Sequence, residues 1–109
     1  MIVELDIFSG RPNPTWDLSK DQADEFASRL TDLPPCDRVP TVGGLGYRGF
    51  EVRNPGERAD LPARIRVLHG FIYLVEDART RCFVDEKGIE PWLMEQAEAQ
   101  GFEIPGRDG

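Results

Sequence analysis

The sequence predicts an α+β domain: a small antiparallel sheet of four to five strands, with two helices packed on one face. Three observations predict it. Short runs alternate with period two, beginning with Val3, Leu5 and Ile7 against Glu4 and Asp6. Two stretches, near residues 20–32 and 89–100, carry apolar residues at helical spacing. Turn signals of a few residues separate most of the strand-like runs, which favours hairpins over parallel crossovers.

Residues 2–8 form the first expected strand, with one buried face. Phe8-Ser9-Gly10-Arg11-Pro12-Asn13-Pro14-Thr15-Trp16 follows as a stiff loop, because each proline fixes its own φ and restricts the residue before it. Ser19 then caps a helix over residues 20–32, and Gln22 completes a capping box. Ala23, Phe26, Ala27, Leu30 and Leu33 give that helix its apolar stripe, and Pro34-Pro35 ends it. Residues 34–45 read as a connection.

A second strand is expected over residues 46–53, followed by the turn Asn54-Pro55-Gly56-Glu57. Arg64 and Arg66 alternate with Ile65 and Val67 in a third strand. His69-Gly70 reads as a two-residue hairpin turn, or alternatively a bulge, before Phe71–Val75. Arg81–Val84 is a last short strand. The final helix starts near Ile89-Glu90-Pro91 and turns Ile89, Trp92, Leu93 and Ala97 inward, so Trp92 and Leu93 should both be buried. Gly101 is its expected C′ residue, with Phe102 packing back on the last turn. The order is β-α-β-β-β-β-α in one domain over residues 1–105, with 106–109 as a frayed tail.

Leu, Ile, Val and Phe make up 28 of 109 residues, enough for a core without metal or disulfide support. A net charge of −7 argues against nucleic-acid or anionic-membrane partners. No apolar run is long enough for a transmembrane helix. The first residues carry acids where a secretory signal would carry basic residues, so the expected compartment is the cytoplasm. Cys36 and Cys82 are 46 residues apart and cannot make a zinc site alone. In a reducing cytoplasm they are expected as two separate thiols, with a loop-to-strand disulfide as the alternative. With a single histidine, His69, no metal or cofactor is expected.

Gly44-Leu45-Gly46-Tyr47-Arg48-Gly49 fits G-x-G-x-x-G, but a dinucleotide loop must open a helix, and Phe-Glu-Val-Arg follows here. The glycines are expected where positive φ or close backbone approach requires them. Glu4 and Asp6 share a strand face and read as solvated charge. The candidate binding residues are Arg11, Asn13 and Trp16 on the first loop, with Tyr47 and Arg48 beside the glycines. Antiparallel pairing of the first two strands would bring both segments to one end of the sheet.

The expected function is a small soluble non-catalytic binding or protein-interaction domain, acting on a protein or a small molecule. Two alternatives stand beside it. One is an acidic inhibitor or immunity-type protein that blocks a basic partner. The other is a small metal-independent enzyme using Arg11, Tyr47 and a carboxylate such as Asp6.

Overall fold

The computed structural model describes residues 1–7, 12–37, 47–77 and 79–102. In chain order it contains β1 (Ile2–Leu5), β2 (Thr15–Asp17), α1 (Lys20–Arg29), β3 (Pro35–Cys36) and β4 (Phe50–Arg53). β5 (Arg64–Leu68), β6 (Phe71–Glu76), β7 (Arg79–Val84) and α2 (Ile89–Ala99) follow. The α+β class holds, but the sheet has seven strands rather than four or five, in the order β2-β1-β4-β5-β6-β7-β3, antiparallel throughout. The two extra strands are its edges. β2 has three residues and follows Pro14, whereas β3 has two and begins at a proline, so neither offers enough alternation to read. The expected frayed tail lies outside the described residues.

Ser19 caps α1 as its spacing requires. Its hydroxyl accepts from the Gln22 backbone N–H at 3.1 Å, and the Gln22 side chain accepts from the Ser19 N–H at 2.9 Å. α2 is capped from farther back. Gly88, at its N-cap, has no side chain, and Asp85 accepts instead from the Ile89 and Glu90 N–H groups, both at 2.7 Å. Pro91 stands third in the helix, where a backbone N–H still has no intrahelical acceptor. At the far end Gly101 takes φ 91°, and the Phe102 N–H returns to the Ala97 carbonyl at 3.0 Å, completing a Schellman ending.

His69 and Gly70 both adopt positive φ, 51° and 83°, so the β5–β6 connection is a two-residue type I′ turn and not a bulge. Gly49, at φ 90°, has the stricter demand. A Cβ there would lie 2.4 Å from the Val67 carbonyl oxygen, so only glycine fits.

The main core joins Val3, Leu5, Phe50, Val52, Ile65, Val67 and Ile72 of the sheet to Phe26 of α1 and to Ile89, Leu93 and Ala97 of α2. Leu93 is fully buried, whereas Trp92 is only partly so, correcting the expectation that both point inward. Trp92 lies a helical step away from Leu93, stacked on Phe26 with ring centres 6.4 Å apart and the Arg29 guanidinium over its indole. A second, smaller cluster gathers Leu68, Tyr73 and Cys82, with Cys36, Tyr47 and Phe71 packed against it.

The expectation of two separate thiols is overturned. Cys36 and Cys82 form a disulfide across the β3–β7 ladder, where they are direct register partners with Cα atoms 5.1 Å apart. The pairing follows from an edge strand that the sequence conceals. Chain-entropy arguments give about 4 kcal/mol for a disulfide that closes a loop of this length.

Candidate functional site

β1 turns Val3 and Leu5 into the core, so Glu4 and Asp6 project from the other face of the sheet. In β4 the same alternation sets Glu51 and Arg53 opposite Phe50 and Val52, and in β5 it sets Arg64 and Arg66 opposite Ile65 and Val67. The register then brings these charges side by side, pairing Glu4 with Glu51, Glu51 with Arg66 and Arg53 with Arg64. Two carboxylates facing each other across β1 and β4 would repel without nearby cations.

Cations are there, and the contacts close into a ring. Arg66 bridges Asp6 at 3.3 Å and Glu51 at 3.6 Å. Arg53 bonds Glu51 at 3.1 Å and pairs with Glu4. The Asn13 amide completes the circuit, donating to Glu4 at 2.9 Å and to Asp6 at 3.3 Å. Its carbonyl oxygen accepts the Ile7 backbone N–H at 3.0 Å, which folds the loop against β1. Arg48 attaches to the ring through Asp6, with Nη2 at 2.8 Å and Nε at 3.1 Å. Arg64 attaches through Glu51 at 2.7 Å. Each carboxylate meets at least two donors. The Arg53 and Arg64 side chains nonetheless remain 43% and 54% exposed.

The five expected site residues separate. Asn13 and Arg48 come together, both bonding one oxygen of Asp6. They meet because β1 pairs antiparallel with β4, which places the segments after β1 and before β4 at the same end of the sheet. Tyr47 turns away, packing edge-on to Phe50 and His69 and donating its hydroxyl hydrogen to Glu90. Trp16 is internal: its indole N–H donates to Gln96 at 3.0 Å and its ring packs on Phe50 and Phe102. That placement makes Trp16 a packing residue, not part of a surface. Arg11 and the glycines at 43, 44 and 46 lie outside the described residues. Gly49 leads into β4 rather than a helix, so the glycine pattern lacks the setting a phosphate loop needs.

Sequence reasoning missed Glu51, Arg53, Arg64 and Arg66 as partners of this set. Their alternation was visible, but their neighbours across the sheet depend on register. Among the described residues no group of three or more His, Cys, Asp or Glu is placed to hold a metal ion. No helix among them is long and apolar enough to cross a membrane. In the loop after β4, Asp60 lies below its ordinary value because Arg58 donates to its carboxylate, and Arg58 is raised by Asp60 and then Asp24. Comparison with protein-family models, with curated proteins and with solved structures finds no match.

Proposed function

We propose that this chain is a non-catalytic protein-interaction domain whose recognition face is the arginine-bearing face of the sheet. On this reading the two helices cover the opposite face and leave this one to a partner. The observation that carries the proposal is the closed ring of Asp6, Arg66, Glu51, Arg53, Glu4 and Asn13. Ion pairs made by side chains as exposed as Arg53 and Arg64 add only about 0–1 kcal/mol each to stability, so folding alone gains little from these two arginines. Binding gains more, because guanidinium groups already held in place cost less entropy to immobilise. Arginine is also a favoured anchor residue at protein interfaces.

The charge balance favours a partner that offers carboxylates or backbone carbonyls. The ring and its two attached arginines carry four guanidinium groups against three carboxylates, in a chain of net charge −7. The acidic surplus therefore lies outside this network, which supports a basic-partner role for this face poorly. The enzyme reading also loses ground, since the Tyr47 hydroxyl is committed to Glu90 and the Asp6 carboxylate to Arg48, Arg66 and Asn13.

Arg64→Ala is the informative variant, because Glu51 keeps Arg53 and Arg66 when Arg64 is gone. Tagged wild-type and Arg64→Ala proteins should share a Tm within a few degrees. Crosslinking and mass spectrometry should recover a partner with the wild type that the variant loses. An identical crosslinked set from both proteins would place recognition on another surface.

A further inference from the structure

We propose that the Cys36–Cys82 disulfide is a redox latch: a dithiol reductant opens it and releases the β3 edge while the rest of the domain stays folded. This goes beyond the binding reading and stands independently of it. Three observations carry it. First, β3 is weakly held by its backbone. It is two residues long, pairs among the described residues with β7 alone, and is entered through Pro34 and Pro35, which have no N–H to donate. The Pro34 carbonyl accepts from the Val84 N–H at 2.8 Å, and the disulfide is the covalent tie beside it.

Second, the disulfide belongs to the small cluster of Leu68, Tyr73 and Cys82 and not to the main core. Both helices, and most buried side chains of the central strands, pack in the main core without it. Opening the bond therefore uncovers one side of Tyr73 and Leu68 and leaves the larger core intact. Third, the two half-cystine residues are unequally exposed. Cys82 is 6% exposed, whereas Cys36, on the edge strand, is more open.

The Cys36 sulfur is accordingly the one attacked. A reductant thiolate bonds to it, the Cys36–Cys82 bond breaks, and Cys82 leaves as a thiolate that takes a proton. The second thiol of the reductant then displaces Cys36 and forms the reductant's own disulfide. Two electrons and two protons pass to the protein. Disulfides that work this way are the labile, sensing kind, in contrast to those that hold a secreted fold together.

The test uses the whole chain, oxidised with glutathione disulfide and then treated with dithiothreitol. Alkylation with mass spectrometry counts thiols, and amide hydrogen exchange reports where the structure opens. Reduction should yield two alkylated cysteines and speed exchange of the Val84 and Cys36 amides by about tenfold or more. Amides of β1, β4 and α1 should stay protected, and fresh glutathione disulfide should reverse both changes. Loss of protection throughout the chain, unchanged exchange at β3, or thiols that never pair would each overturn the latch. Cys36→Ser/Cys82→Ser mimics the open state and should fold with the same local signature. A double variant that cannot fold would make the disulfide a support of the whole fold, and the proposal would fail.

Discussion

Glu90 reaches back from the first turn of α2 and accepts the Gly70 backbone N–H at 2.8 Å. The same carboxylate accepts the His69 N–H at 3.0 Å and the Tyr47 hydroxyl. One buried side chain thus fastens the β5–β6 turn, the segment before β4 and α2 to one another. Tight turns with two positive-φ residues expose their N–H groups, and here those groups have a built-in acceptor.

Glu90→Ala should therefore lose about 2 kcal/mol, since it strands partly buried donors as well as removing their bonds. Glu90→Gln keeps one acceptor oxygen and should lose less. Urea denaturation of both variants measures this. A loss below about 1 kcal/mol for the alanine variant would mean that water replaces the carboxylate without cost.

Gly49→Ala should lose at least about 2 kcal/mol, because it meets both a positive φ and the Val67 carbonyl. Gly56→Ala is the control. It shares the positive φ but nothing lies within 4 Å of its would-be Cβ, so it should cost less. Equal thermal shifts for the two would remove close approach as the cause.

Leu93→Ala should lose about 2–5 kcal/mol as a fully buried leucine. Trp92→Ala should lose less despite its larger side chain, because the indole is only partly buried and stacks between Phe26 and Arg29. Chemical denaturation of the pair gives the ranking directly. The reverse order would show that the Phe26–Trp92 stack, and not Leu93, anchors α2.

Acid should weaken the loop after β4. The Arg58 hydrogen bond lowers the folded-state pKa of Asp60 below its ordinary 3.8. A group lowered on folding contributes its stabilisation above the ordinary value and loses it as pH falls through the folded one. Asp60→Asn should hence melt below the wild type at pH 7, with the gap narrowing as pH falls below 3.8. A gap that stays constant from pH 7 to pH 3 would contradict the pairing. Asp60 is exposed and Arg58 partly so, and added salt should shrink the effect as well.

Local signals carried much of the fold. Ser19 with Gln22, His69 with Gly70, and Gly101 with Phe102 each satisfy a requirement of their own few residues, and so they read directly. The candidate site divides differently. Asn13 and Arg48 were visible as unusual polar residues beside prolines and glycines, yet nothing local says that they share Asp6. Glu51 and Arg66 look like ordinary exposed positions of alternating strands until the β1–β4–β5 register places them in one row. A tryptophan among prolines resembles a surface anchor locally, whereas the Trp16 indole N–H finds Gln96, 80 residues away. Cys36 and Cys82 were hidden for the same reason, since a two-residue strand has no period to detect.

The brevity of β2 and β3 has a consequence for how the molecule behaves in company. A seven-stranded sheet normally has two long margins onto which a second chain can add, the first step toward fibrils. Here one margin offers three residues behind Pro14, and the other offers a proline and a cysteine, the cysteine tied by sulfur to the next strand. A strand arriving from another molecule would find too few unpaired N–H and C=O groups to hold it. The chain should thus stay dispersed at high concentration while oxidised, and turbidity on concentration should rise first in the reduced protein.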